Sequence, residues 1–420
     1  MRVLIVGGDG RAHALAWCLV RSPSVDEVLS APGNPGLAAL GPTFDVGIDD
    51  FVGQADLAAD QAVDLTVVSP EAPLVGGICD VFRDRGLAVF GPSKAAAEIE
   101  GSKVFCRELA LQRGVQVAAG EAFDDPDAAA DFARMIAPPM VVKASGLAAG
   151  KGVAICPDHE AAVRAINVAM RERVFGDAGN SVIVEEHLSG REISIFAVTD
   201  GERKVVIEPA QDYKRALDGD QGLNTGGMGS YTPVPWLSAD ARRQAVTEIV
   251  EPLLDGLAEL GRPYLGCFYA GLMFTEKGPY LIEVNCRFGD PEIQALVRRF
   301  DGDLGVLLSS AASGELDASS VSWTDDAAVC VVVASGGYPE SYRTGVPVAG
   351  IDDAEALDGV VVFQAGTATV DGELVSSGGR VLDVTATGPD IVAARERAYE
   401  AASRIRMDGS YRRSDIAAVL

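Results

Sequence analysis

Two apolar runs, Tyr269–Phe274 (YAGLMF) and the start of Leu281–Glu292 (LIEVNCRFGDPE), flank the short polar stretch Thr275–Gly278. This pattern predicts an antiparallel β-hairpin, and the hairpin dictates where its oxygen-bearing side chains point. Strand residues two apart share a face roughly 6.5 to 7 Å apart, so Glu283 and Asn285 present their oxygens side by side. Hard cations favour such oxygens. Directly beyond stand Arg287 and the turn Gly289-Asp290-Pro291-Glu292, one cation and two carboxylates gathered in a bend. A solvated strand end followed by a turn would contain the same residues, so the hairpin alone leaves both readings open.

The first residues read as a buried strand, Val3–Val6, a turn Gly7-Gly8-Asp9-Gly10 and a helical stretch from Ala12 to Val20. Strand, glycine turn and helix can hold a phosphate on backbone N–H groups, but His13 stands where a dinucleotide fingerprint needs its third glycine. Asp64–Val68 and Ala88–Phe90 add short strands, giving a parallel α/β unit of about 100 residues. Ser69-Pro70-Glu71-Ala72-Pro73 and Gly91-Pro92-Ser93 fall at strand carboxyl ends, where open α/β sheets take their ligands.

Further along, Gly101-Ser102-Lys103 opens a helix, and a strand ending in Lys143 runs into Ala144-Ser145-Gly146-Leu147-Ala148-Ala149-Gly150-Lys151-Gly152-Val153. The glycines lie one position too close to Lys151 for a Walker A loop, and Gly152 replaces its Ser or Thr. Because Val153–Cys156 again looks like a strand, the run predicts a hairpin loop laid over phosphates, with Lys143 and Lys151 supplying charge. A mobile glycine turn with two surface lysines is the plainer alternative. Ser181–Glu186 reads as a strand leading into the bent connector His187–Gly190, whose free backbone groups suit an adenine edge, with Glu192 placed for ribose hydroxyls. Ala210–Tyr231 is polar, glycine-rich and aperiodic, and reads as a long functional loop carrying Asp212, Lys214, Arg215 and Asn224–Gly229. Ala239–Gly261 reads as a structural helix. From about Trp323, short strands at Val329–Ala334, Val360–Ala365 and Arg380–Thr385 precede a helix from about Pro389 to Ile405, which predicts a small α+β domain closing over the site.

Composition excludes several functions. A formal charge of −26 repels nucleic acid and acidic membranes. The seven cysteines form no CxxC pair and the three histidines are scattered, so neither a disulfide framework nor a thiolate or multi-histidine metal centre is expected. No apolar run is long enough for a membrane span, and MRVLIVGG breaks into glycine too early for a signal peptide.

Taken together, GRAHAL at Gly10, APGNPG at Ala31, PEAPLV at Pro70, GSK at Gly101, KASGLAAGKGV at Lys143, QDYKR at Gln211, NTGGMGSY at Asn224 and IEVNCRFGDPE at Ile282 resemble the phosphoribosylamine–glycine ligases. These are the glycinamide ribonucleotide synthetases of purine biosynthesis, members of the ATP-grasp superfamily, and the resemblance covers essentially the whole chain in order. It implies a multidomain α/β protein: an N-terminal parallel α/β domain over 1–102, an ATP-grasp core over 103–323 with a small lid subdomain at about 118–190, and a C-terminal α+β domain over 324–420. The implied activity joins glycine to 5-phosphoribosylamine through glycyl phosphate, using ATP with Mg2+ or Mn2+, in a cytoplasmic monomer.

Residue by residue, the resemblance implies that Lys103, Lys143, Ser145, Gly146, Gly150, Lys151 and Gly152 contact ATP phosphates, while Glu185, Glu186, Leu188 and Glu192 hold adenine and ribose. Glu283 and Asn285 would bind the metal. Asp212, Lys214, Arg287 and Asp290, with Asn224, Thr225, Gly226 and Gly227, would surround glycine and the transferred phosphoryl group; Gly8, Gly10, Glu71 and the Gly337-Tyr338 turn would lie near phosphoribosylamine. The chain departs from the family pattern at Asp9 (usually glycine), Ala12 (glutamate), Tyr213 (histidine) and Leu223 (proline). Competing readings are another ATP-grasp carboxylate–amine ligase, an oxidoreductase built on the Gly7–Gly10 turn, which leaves the region after Lys143 unexplained, and a non-catalytic nucleotide sensor.

Overall fold

The computed structural model describes residues 1–148 and 151–418. Strands β1 (Arg2–Gly7), β2 (Glu27–Pro32), β3 (Leu65–Val68) and β4 (Val89–Phe90) form a parallel sheet in the order β2-β1-β3-β4. β1 and β3 are near-continuous apolar runs because both faces are covered. β2 escapes the sequence reading because Ser30 and Pro32 interrupt its apolar run, although Ser30 is buried. Asp9 caps the helix Gly10–Leu19 by accepting from Ala12 N–H, so the residue that departs from the glycine pattern serves as a helix cap.

The segment expected to form the lid folds as a separate unit. β5 (Gly120–Phe123), β6 (Met140–Ala144), β7 (Val153–Cys156) and β8 (Val182–Glu186) form an antiparallel sheet ordered β5-β8-β6-β7. Alternate residues Met140, Val142, Ala144, Val182 and Val184 pack one face against Ala129 and Ala133 of one helix and Ala162 and Ile166 of another. β6 and β7 are the hairpin expected around the glycine-rich run.

Next come β9 (Arg191–Asp200), β10 (Lys204–Val206), β11 (Gln211–Asp212), β12 (Arg215–Leu217), β13 (Gln221–Asn224), β14 (Gly229–Thr232), β15 (Leu265–Thr275) and β16 (Gly278–Asn285). The central sheet is antiparallel in the order β10-β9-β15-β16, and β15–β16 is the hairpin expected from the sequence. The stretch read as an aperiodic loop, 210–231, instead holds four short strands. β14 is buried because it pairs with β17 (Ala327–Ala334), Tyr231 lying opposite Val329. A partner about 100 residues away leaves no local trace, which is why only the turn chemistry was readable.

β18 (Val360–Gln364), the small hairpin β19 (Thr367–Val370) and β20 (Glu373–Ser376), and β21 (Arg380–Gly388) complete the strands. The last large sheet runs β11-β14-β17-β21-β18 and is backed by the helix Ile391–Arg404. The expected helix from Ala239 is continuous to Glu259 but widens to a π turn at Val246–Val250, just ahead of Pro252; proline offers no N–H to continue the regular ladder.

Candidate active site

The carboxyl ends of the first sheet, the inner face of the lid, the β15–β16 hairpin and loops of the last domain surround one cleft of about 1290 Å³. On the lid side, Lys143 near the end of β6 sits 2.6 Å from Glu185 Oε1 and donates to the Ile282 carbonyl at 3.1 Å. Arg107, also buried, reaches the other Glu185 oxygen at 3.1 Å. Two cations on one buried carboxylate leave a local positive excess, the requirement for taking up phosphate.

Lys103 donates to the Gly146 carbonyl at 3.0 Å. Burial lowers its pKa and Lys143 adds to the effect, while Glu283 opposes it. Lys151 and Gly152 line the cleft, and a Cβ on Gly152 would lie 2.7 Å from that of Ala148. Gly150 lies outside the described residues. Ser145 and Gly146 face away from the opening: the Ser145 hydroxyl accepts from Val104 N–H at 3.2 Å, and Gly146 packs against Ala178.

An apolar slot lies beside these cations, lined by Val141, Val153, Ile155, Ile183 and Leu188 of the lid and by Met273 and Leu281 of the core. Such a slot suits a flat heterocycle. Glu185, Glu186 and Glu192 border it; Glu186 is tied to Ala119 N–H at 3.0 Å, and Glu192, opposite Met273 on β15, approaches Lys214 at 3.6 Å.

On the opposite wall, Glu283 and Asn285 pair with Gly271 and Tyr269 of β15 and share a face. The register shifts beside Gly271, leaving Ile282 as the extra residue. Lys214 Nζ lies 3.0 Å from Glu283 Oε1 and is the main reason that carboxyl falls to a pKa of about 2. Arg287 donates to Asn285 Oδ1 at 3.3 Å. Among the described residues no group of three or more His, Cys, Asp or Glu is arranged to hold a metal. One permanently charged carboxylate beside one amide oxygen nevertheless fits a hard cation that takes its remaining ligands from phosphate and water, as Mg2+ does.

At the inner end, burial and then Glu292, Glu192 and Glu283 push the Asp212 carboxyl well above its ordinary range, with Lys214 opposing. Its oxygens have no hydrogen-bond or ion-pair partner among the described residues and line the cleft. Asp290 is the reverse case. It receives Arg380 Nη2 and Gln294 Nε2, each at 2.8 Å. Burial opposes its ionisation, yet Arg380 and Arg11 lower its pKa. Arg287 Nε contacts Glu71 at 3.3 Å; burial opposes ionisation of Glu71, but Arg287 and Arg11 bring it to about 2.

Asn224, Thr225 and Gly226 also line the cleft. Thr225 closes onto the Lys214 carbonyl through both its N–H (2.7 Å) and its hydroxyl (2.9 Å), and Gly226 N–H donates to Tyr338 Oη at 3.1 Å. Gly227 sits behind them against Pro291, with φ +116°. Gly8 and Gly10 are not at the opening: Gly8 abuts Gly33, and any side chain on Gly10 would collide with Asp383. Asp9 occupies that part of the wall, 2.8 Å from Arg11. Sequence reasoning missed Arg11, Arg107, Arg380 and Arg413, all lining the cleft. Arg380, just after the Gly378-Gly379 turn, carried the one usable hint.

Comparison with known proteins places these features in a family. Sequence models of the phosphoribosylglycinamide synthetase N domain, ATP-grasp (A) domain and C domain match residues 1–100, 101–293 and 328–419. The phosphoribosylamine–glycine ligase of Brucella melitensis is 45% identical over 416 residues, covering 99% of this chain and 97% of that protein. Its Streptomyces coelicolor counterpart is 45% identical over 421 residues, covering 100% and 99%. The crystal structure of the Thermotoga maritima phosphoribosylamine–glycine ligase superposes with a TM-score of 0.86 at 31% identity, covering 99% of this chain and 100% of that one. A biotin carboxylase domain from Hydrogenobacter thermophilus reaches a TM-score of 0.76 at 16% identity over 98% of this chain and 91% of that one, a likeness of fold alone.

Proposed function

The chain belongs to the phosphoribosylglycinamide synthetase (phosphoribosylamine–glycine ligase) family, and from that premise we propose how the residues of its cleft divide the work. The enzyme is an ATP-dependent ligase that makes an amide from glycine and 5-phosphoribosylamine, releasing ADP and phosphate, in purine biosynthesis. The glycine carboxylate is already a nucleophile, so its attack on the γ-phosphate needs alignment and charge screening rather than a base. The observation that carries this reading is the meeting, across one cleft, of the Lys143–Glu185–Arg107 cluster with the Glu283–Asn285 pair.

In this reading Lys103, Lys143 and Lys151 hold the phosphates, and the apolar slot with Glu185, Glu186, Leu188 and Glu192 takes adenine and ribose. Glu283 and Asn285 hold the divalent cation that the family uses, Mg2+ or Mn2+; when bound there it supplies further screening of phosphate charge. Arg287 and Lys214 face the carboxyl end of glycine, and Asn224, Thr225 and Gly226 close around it. Glu71 and Arg11 line the part of the wall assigned to the ribose-phosphate amine, with Gly8 and Gly10 shaping the turn behind.

The amine must lose a proton as it attacks the acyl carbon. Asp212 suits that task better than Asp290, because its oxygens are free and burial raises its pKa well above the ordinary carboxyl value, whereas Asp290 is tied through both oxygens. The acyl phosphate would hydrolyse in open water, so closure of the lid loop over the cleft belongs to the same reading. So do domain limits at 1–102, 103–323 and 324–420 and a cytoplasmic monomer.

Replacing Glu283 with Ala should abolish metal-dependent ADP release, and near-normal turnover would refute its metal role. Sustained phosphate release should need ATP, glycine and phosphoribosylamine together. Equal release with bicarbonate in place of glycine would instead favour an ATP-grasp carboxylase chemistry.

A further inference from the structure

The β12–β13 hairpin has almost nothing apolar to anchor it. Among residues 215–224 Ala216 alone is buried, and Leu217 and Leu223 stand 53% and 51% exposed. Two-stranded hairpins without a covered face are marginal in water. Its turn is also unfavourable, since Asp220 adopts φ +53°, a left-handed conformation that costs a side-chain-bearing residue energy. Yet the base of this hairpin carries Lys214, Asn224 and Thr225, which line the cleft. Something outside the hairpin has to fix it.

The segment that follows the helix Ile391–Arg404 does so. Arg413 is 1% exposed, the bulkiest fully buried side chain among the described residues. Its Nη1 donates to the Arg215 carbonyl at 3.0 Å and to Asp220 Oδ1 at 2.9 Å, and its Nε and Nη2 grip the two Asp415 oxygens at 2.7 Å each. The guanidinium lies 4.8 Å from the Tyr213 ring centroid. Around it Gly219 N–H donates to Asp415 at 2.8 Å, Ser414 N–H to Asp218 at 2.7 Å, and Ala417 N–H to Tyr213 Oη at 2.9 Å. The segment is itself fastened to the helix. Arg395 donates to the carbonyls of Ile416 (2.8 Å) and Ser414 (2.7 Å), and Tyr399 Oη to that of Arg413 (2.8 Å).

We propose that Arg413 is a positioning residue for the ligase reaction: by pinning β12–β13 it presets Lys214, Asn224 and Thr225 for glycine. The inference rests on the reading of the hairpin base as the glycine site. A planar fork that meets two carboxylates and a carbonyl at once cannot be replaced by a point charge. Without it, Asp220 and Asp415 lose their shared cation, and the hairpin must be ordered by the substrate. A binding-competent state that is only fractionally populated raises the apparent dissociation constant by the reciprocal of that fraction. Tyr213, one of the departures from the family pattern, belongs to this clamp through its ring and its hydroxyl.

The test is steady-state kinetics on the full chain, varying glycine at saturating ATP and phosphoribosylamine and then varying ATP. Arg413→Met should raise the glycine KM about tenfold with the ATP KM within twofold of wild type, and Arg413→Lys should fall between. A glycine KM within twofold of wild type in Arg413→Met overturns the inference, as does a parallel rise in both KM values, the sign of general misfolding. If Arg413→Met is insoluble, Arg413→Lys and Asp220→Asn must show the same glycine-selective rise, and its absence overturns the inference equally. Lys214→Met separates the two levels. A wild-type glycine KM there sinks the assignment of the site and the inference with it, whereas a raised value there with no change in Arg413→Met sinks the Arg413 role alone.

Discussion

Asp383 on β21 is fully buried, and the fold leaves it short of donors. Its Oδ2 accepts from Gln294 Nε2 at 2.8 Å, while its Oδ1 and the Gln294 Oε1 have no partner. Burial, reinforced by Asp290, raises its pKa to about 7 against the opposing pull of Arg380, which is committed to Asp290. The unfolded chain gives up this proton near the ordinary value of 3.8. Between pH 4 and 7 the native state therefore binds more protons, and stability falls as pH rises through that window, levelling above it. Asp383→Asn removes the ionisation and supplies an N–H donor next to the unpartnered Gln294 Oε1. Thermal unfolding should show the variant gaining on wild type by on the order of 4 kcal/mol between pH 4 and pH 8. A gap that stays constant would mean that Asp383 is ionised in the native protein. At this scale the sequence was only partly legible. Glu283, Asn285 and Lys143 announced themselves through strand spacing and glycine context, but Arg107, Arg380 and Arg413 owe their places to partners far off in the chain, Glu185, Asp290 and Asp220, and Arg11, paired with nearby Asp9, reads in sequence like an ordinary helix-surface charge.

Elements whose definition is local were readable, and the β15–β16 hairpin is the clearest. Apolar runs on both sides of a polar turn fix its register, and the register brings Gly271 opposite Glu283. A Cβ at Gly271 would lie 3.0 Å from Glu283 Cγ, so the missing side chain is what lets the carboxylate stand where it does. Gly271→Val suits a strand backbone, and its cost should appear in the displaced carboxylate rather than in stability. The divalent cation concentration for half-maximal activity should rise about tenfold, in line with misplaced ligand geometry, with little change in melting temperature. Unchanged activation by metal would remove Glu283 from the ligand set. The β6–β7 loop was legible for the same local reason. The strands of 210–231 were not: β14 is completed by β17 far along the chain as well as by the two residues of β11, and β12–β13 carries a single buried residue, so neither has an apolar periodicity to read.

At the scale of the molecule, the cores decide which parts move together. One apolar cluster joins Leu4 and Leu29 of the first sheet to Phe268 and Leu272 of the central sheet and to Val329 and Val384 of the last. A second joins Leu15, Phe196, Tyr269 and Phe363 across the same three regions. The lid's cluster contains only residues between Ala129 and Val184. Apolar burial thus binds three regions into one body, and the lid meets that body largely through polar contacts such as Lys143 to the Ile282 carbonyl. Units with their own small core open at lower free energy than the whole. Native-state hydrogen exchange should therefore show the amides of β6 and β8 opening well below the global unfolding free energy, and those of β9 and β15 near it. A non-hydrolysable ATP analogue with a divalent cation touches both bodies in the proposed site, so it should raise protection in β6 and β8 selectively, by RT ln(1 + [L]/Kd). Equal protection of both sheets without nucleotide would make the lid part of the common core and remove the basis for its closure over the acyl phosphate.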